Sequence, residues 1–308
     1  MALIKKVEKI WVDGDLISWD DAREHVLAHT LHYGLGAFEG IRAYKRGDGR
    51  TAIFRLSEHI DRLFESCHIC SIDIPFSREA LKEACALVLK ENRLEAAYLR
   101  PIVYLGYGAM GLGSLEPPVR TVIAAYEWGA YLGEEGLKNG IRAKTSSFRR
   151  GPIDSTMSKG KICGQYVNSV LAKREAMKAG YDEAIMLQHD GHVAEATGEN
   201  VFMVKRGVLF TAPISASILA GITRDSMLRI ARDLGIETQE RLFTKDEIWC
   251  ADEVFMTGTA AELTPVREID DRRIGNGEPG PVTRRLQDAF FDTVKGAKPR
   301  YPEWLALV

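Results

Sequence analysis

The chain has 308 residues, 45% hydrophobic and 27% charged, enough for two domains with sizeable cores. Forty-one Lys and Arg against 43 Asp and Glu leave a formal charge of −2, which argues against a nucleic-acid or anionic-membrane surface as its main business. No apolar run reaches the roughly 18 residues of a membrane span, and the first residues carry neither a signal nor a transit peptide pattern, so a cytoplasmic location is expected.

In chain order, residues 9–17 read as a hairpin, with Asp13 and Gly14 between apolar runs supplying the positive φ of a type I′ turn. Ser57 is expected to cap a helix to about Ile69, carrying Ile60, Leu63, Phe64 and Cys67 at helical spacing. Ser77 caps another over Arg78–Glu91, with Leu81, Cys85, Val88 and Leu89 on one face. Strand-rich runs follow at 97–105 and 120–126, then a charged, Gly-containing linker at 130–136. The second half opens with a strand at 141–144 and a helix over about 164–179. Two hairpins follow, turning at Asp190-Gly191 and Arg206-Gly207. A helix over about 223–234, strands near Ile236, Val254 and Val266, and a last helix over about 282–294 complete the chain. Strands and helices cluster instead of alternating strictly, which favours α+β over a doubly wound sheet, in two domains of 1–133 and 134–308.

Five cysteines at scattered positions do not form a disulfide framework and fit a reducing compartment. Cys67 and Cys70 have CxxC spacing, but no second pair follows, and two small buried residues is the plainer reading. GxGxxG after a strand, GxxxxGKS/T, HExxH and GxSxG are all missing, which removes the nucleotide, zinc-peptidase and serine-hydrolase classes with those motifs.

The stretch that carries chemistry runs 195–202 (EATGENVF), then 209–211 (LFT), then 219–224 (LAGITR), with fixed gaps. It resembles the signature of the class IV aminotransferases, enzymes of pyridoxal 5′-phosphate (PLP), from end to end. Blocks at 32–42 (HYGLGAFEGIR), 54–55, 97–101 (AYLRP), 128–133 (WGAYLG) and 255–265 (FMTGTAAELTP) are similar to the bacterial branched-chain amino acid aminotransferases in particular. The resemblance covers nearly the whole chain. It implies the two-domain D-amino-acid-aminotransferase-like fold (PLP fold type IV). The implied reaction is ping-pong transfer of the amino group between L-leucine, L-isoleucine or L-valine and 2-oxoglutarate. D-amino acid aminotransferases, amine transaminases and 4-amino-4-deoxychorismate lyases share the fold and stand as alternatives. A homodimer or a trimer of dimers is implied in the same way, and a metal is not.

PLP needs a lysine to carry it, a partner for its pyridine nitrogen and a cup for its phosphate. Lys159 and Lys161 both lie in 158–166 (SKGKICGQY); the family pattern places a tyrosine five residues after the cofactor-bearing lysine, which Lys161 and Tyr166 meet. Tyr166 is implied to donate to the cofactor's 3′-oxygen. Glu195, the first glutamate of its motif, is implied to hold the pyridine nitrogen, with Glu199 the competitor. Gly221, Ile222 and Thr223 precede an amphipathic run, and a helix N-terminus offers free N–H groups to a phosphate. Arg55 and Thr259 add a guanidinium and a hydroxyl. Around the substrate the resemblance implies Tyr33, Phe38, Tyr98, Trp128, Tyr131, Thr259 and Ala260. Arg100 is the exception in an apolar pocket: the matching arginine of the bacterial enzymes receives the distal carboxylate of glutamate. Ile162 and Cys163 replace the family's usual small residues after the lysine, and Gln165 a commoner Asn, which touches fine substrate preference and not the reaction.

Overall fold

The computed structural model describes residues 4–113, 117–155, 157–297 and 299–308. Its chain forms two compact units: Met1–Trp128 with Gly160–Tyr166 and Thr293–Val308, and Gly129–Lys159 with Val167–Asp292. The chain therefore does not divide at one point. Gly160–Tyr166 joins the first unit because Ile162 bridges to Ala37, and the C-terminus joins it because Leu305–Leu307 pairs with Thr51–Phe54.

The first unit is an antiparallel sheet. Its order is Leu305–Leu307, Thr51–Phe54, Ile41–Lys45, Ala97–Leu105, Val119–Tyr126, Lys9–Val12 and Asp15–Ser18, with Gly36–Phe38 also paired to Ala97–Leu105. Side chains alternate along the central strand. Leu99, Val103 and Leu105 point into a core shared with helices Leu56–Ile69 and Arg78–Glu91. The other face presents Tyr98 and Arg100, opposite Tyr126 and Ala124, and Phe38, opposite Ile102. The Asp13-Gly14 turn has φ of 50° and 107°, as a type I′ turn requires. Ser77 Oγ accepts from Ala80 N at 3.1 Å, the expected cap. Ser57 is not a cap: the helix starts at Leu56, and Arg55 stands before it with φ of 49°.

In the second unit six strands pair in a ring: Val193–Ala196, Glu183–Leu187, Ile141–Thr145, Glu262–Ile269, Glu253–Gly258 and Asn200–Lys205, which returns to the first through Glu195 opposite Asn200. Closure leaves these strands without an open edge. Val208–Thr211 and Thr238–Glu240 extend the sheet from Asn200–Lys205. Helix Ile222–Asp233 packs Met227, Ile230 and Ala231 inward. No helix among the described residues is long and apolar enough to cross a membrane.

Candidate active site

In the first unit the segment that carries Lys161 runs beside Gly36–Phe38. Phe38 N–H donates to Lys161 O at 3.1 Å, and Gly164 N–H donates to Gly34 O at 2.9 Å. A Cβ on Gly34 would stand 2.9 Å from Gly164 Cα, so the close approach needs glycine there. Lys161 Nζ is 2.5 Å from Tyr166 Oη, and it lies 5.0 Å from the ring centre of Phe38, which packs edge-on against Tyr166 at 4.8 Å. Lys159 is occupied differently. In the second unit its Nζ donates to Ala216 O at 2.8 Å and Ile218 O at 2.9 Å, and burial lowers its pKa.

The sheet face opposite the core gathers an aromatic wall. Tyr98 and Trp128 meet edge to face at 4.5 Å, and Tyr126 lies 5.8 Å from Trp128. Arg100 lies over Phe38 at 4.8 Å and Tyr98 at 5.4 Å. Its Nε is buried without a hydrogen-bond partner, and the ionisable groups beside it are tyrosines, not a carboxylate. A guanidinium in that condition lacks the anionic partner that buried charges ordinarily have. Tyr33 is 42% exposed and packs on His29, apart from this set.

Arg55, in the left-handed region, donates from Nε to Glu58 at 2.6 Å and stacks its guanidinium 5.2 Å from the ring of Trp304. A non-glycine residue there costs roughly 1–2 kcal/mol and marks a position the surroundings dictate. Near Lys161 lies a cluster the sequence does not signal. Arg62 donates Nε and Nη2 to the two oxygens of Glu39 at 2.7 and 2.9 Å, and His59 Nδ1 meets Glu39 at 2.7 Å. Burial alone would raise the Glu39 carboxyl, but Arg62 and His59 hold it far below the usual range. Burial drives the His59 pKa down in spite of Glu39.

In the second unit Glu195 sits where the hairpin of Val193–Ala196 and Asn200–Lys205 closes. Arg150 Nη2 is 2.5 Å from Oε1, and Oε2 accepts from Asn200 Nδ2 at 3.2 Å and Leu219 N at 3.1 Å. Arg150 and Asn200 thus fix the carboxylate's orientation; sequence reasoning singles out neither, although Asn200 lies in the quoted motif. Glu199 is in another environment. Burial, with the charge of Glu183 beside it, pushes its carboxyl up to about 8. Glu183 accepts from Thr197 Oγ1 at 2.6 Å and pairs with Lys173 at 2.5 Å. Tyr131 belongs to this side, 5.2 Å from Lys173 Nζ.

Helix Ile222–Asp233 begins after Gly221, whose position offers no side-chain cap. Thr223 is inside the first turn and not at the cap. The first N–H groups of that helix thus have no side-chain acceptor from the capping position. A Cβ on Gly221 would run into Asn200 Oδ1, so backbone must pass there bare. Thr257 Oγ1 is buried without a partner on the strand that ends at Gly258, just before Thr259 and Ala260 in the following turn. Within the second unit, an uncapped helix start, a bare glycine and an orphaned hydroxyl fit a phosphate; within the first, a lysine resting on a phenol fits an aldehyde. The CxxC pair does not offer chemistry: burial pushes the Cys67 thiol up to about 12 and raises that of Cys70, and such thiols are inert. Among the described residues no His, Cys, Asp and Glu group could hold a metal.

Residues 36–269 match the family Amino-transferase class IV, and the chain belongs to it. It is 50% identical to the branched-chain-amino-acid aminotransferase of Pseudomonas aeruginosa over the whole of both chains. Its fold is similar to the crystal structure of the Escherichia coli branched-chain amino acid aminotransferase, with TM-score 0.95 and 43% identity, covering 97% of this chain and 99% of that one. The branched-chain amino acid aminotransferase of T.th. with pyridoxamine 5′-phosphate gives TM-score 0.94 and 47% identity over 98% of each chain.

Proposed function

We propose that this protein is a PLP-dependent aminotransferase that moves the amino group between L-leucine, L-isoleucine or L-valine and 2-oxoglutarate. The observation that carries this reading is Lys161 Nζ at 2.5 Å from Tyr166 Oη, within a chain half identical to a branched-chain enzyme from end to end. When bound, PLP supplies an electron sink for the pair left when the substrate Cα loses its proton. Lys161 would carry the cofactor and then take and return the Cα proton at Nζ. Tyr166 Oη would hold Lys161 Nζ and donate to the cofactor's 3′-oxygen. Glu195, its orientation fixed by Arg150 and Asn200, would keep a proton on the pyridine nitrogen. Gly221, Ile222 and Thr223 would bind the phosphate through the helix start, with Arg55 and Thr259 adding charge and hydroxyl.

Phe38, Tyr98 and Trp128 would receive an aliphatic side chain, with Tyr33, Tyr131, Thr259 and Ala260 as further substrate contacts. Arg100 would take the distal carboxylate of glutamate. A homodimer, alone or in a trimer of dimers, is supported by an exposed apolar patch. Segment 25–33 bridges to Tyr107 through Ala28, and Val26, Leu31, Tyr107 and Leu112 are 74, 68, 55 and 87% exposed. Five free cysteines support a cytoplasmic location.

The test is an absorbance spectrum of the purified protein followed by a panel of L- and D-amino acids and amines with 2-oxoglutarate. Absorbance near roughly 400 nm that L-leucine, L-isoleucine and L-valine bleach is the expected result. A spectrum transparent there after incubation with PLP and removal of the unbound cofactor, or bleaching by D-amino acids or amines alone, overturns the reading.

A further inference from the structure

The peptide groups on either side of Lys161 are gripped by elements of the first unit. Its N–H donates to Ser66 Oγ at 2.9 Å, and its C=O accepts from Phe38 N–H at 3.1 Å. Ser66 is fully buried near the end of helix Leu56–Ile69. A serine is a poor choice there. Alanine forms helix better and leaves no hydroxyl to satisfy, and a hydroxyl that bonds back to its own helix slightly weakens it. Ser66 does bond back, donating to Arg62 O at 2.8 Å. What the hydroxyl provides is an acceptor for Lys161 N–H, in a segment that has no helix or strand of its own to supply a carbonyl.

The contacts close on themselves. Lys161 O accepts from Phe38 N–H, and the next residue, Glu39, holds Arg62 through both carboxylate oxygens. Arg62 O accepts from the Ser66 hydroxyl, whose oxygen in turn accepts from Lys161 N–H. A buried ion pair adds little net stability over apolar packing, but it fixes geometry. The ring ties the Lys161 backbone to helix Leu56–Ile69 and to Phe38, and the side chain reaches Tyr166 from there.

We propose that Ser66 is a positioning residue for amino-group transfer, holding the Lys161 backbone through its hydroxyl with the Glu39–Arg62 pair as anchor. The proposal rests on the reading of Lys161 as the cofactor-bearing lysine. Ser66→Ala in the full-length holoenzyme should lower kcat about 10- to 100-fold with KM nearly unchanged, because a small misplacement of a reacting group is costly. Ser66→Thr, which keeps the hydroxyl, should recover most of that loss. Hydrogen–deuterium exchange gives a readout independent of turnover: the Lys161 amide should exchange about tenfold faster in Ser66→Ala than in the parent. Wild-type kcat in Ser66→Ala overturns the proposal, as does unchanged exchange at Lys161. Equal impairment of the Ala and Thr variants, tracking their melting temperatures, also overturns it, since packing alone then explains the loss. Lys161→Ala that kept a reducible cofactor link would sink the functional reading while leaving the exchange result standing, so the two failures are distinguishable.

Discussion

Replacing Arg100 by Leu separates the two substrates of the proposed reaction. The guanidinium lies on Phe38 and Tyr98, bonds to the Tyr98 side chain, and leaves its buried Nε without a hydrogen-bond partner. A charge-assisted hydrogen bond is worth roughly 1.5–3 kcal/mol, so loss of the distal-carboxylate partner should lower kcat/KM for glutamate and 2-oxoglutarate about 10- to 150-fold. An aliphatic side chain asks nothing of a guanidinium, so the leucine and valine half-reactions should change by less than about threefold. Stopped-flow measurement of each half-reaction isolates the two, because a ping-pong enzyme completes one before the other begins. Stability gives a second reading: removing a half-buried charge whose Nε has no partner should leave Tm unchanged or higher. Equal damage to both half-reactions with a lowered Tm would mean that Arg100 holds the sheet together, and the substrate argument would fail.

Lys161→Ala should abolish turnover and the borohydride-reducible link to cofactor, whereas Lys159→Ala, whose amine is engaged by two carbonyls, should keep the link; mass spectrometry of the reduced protein distinguishes them. Glu195→Gln should retain cofactor yet slow proton transfer at Cα by orders of magnitude, since a neutral amide holds a pyridinium proton poorly; an unchanged half-reaction rate would remove Glu195 from that role. Glu199 has a folded pKa raised to about 8 from an ordinary 4.5, so its contribution to stability is complete below about pH 4.5 and is lost as pH rises through 8. Glu199→Gln, which stays neutral beside Glu183 and Lys173, should therefore flatten the decline of Tm over that interval; an identical slope in parent and variant would contradict the buried-acid account.

Local chemistry was legible in the sequence wherever neighbours along the chain decide it. Asp13 and Gly14 set a turn by their own φ preferences and Ser77 caps its helix with its own oxygen; the resemblance singled out Lys161 and Tyr166, and the structure adds that amine and phenol touch. Fixed gaps in 195–224 likewise identified the family, because a motif is a local record of a site.

Only the tertiary structure decided which distant groups meet. Arg150 reaches Glu195, Glu39 meets Arg62 and His59, and Ser66 meets Lys161 across 95 positions. None of these pairs has a spacing rule, since a strand pairing or a turn elsewhere sets the approach. The helix before which Arg55 stands starts one residue ahead of Ser57, and the Trp304 carbonyl, 249 positions away in the chain, accepts Arg55 N–H at 2.6 Å. The opposite pKa behaviour of Glu39 and Glu199 is decided in the same way. Burial raises both carboxyls, and the positions of Arg62 and His59 beside one and Glu183 beside the other send the first down and the second further up.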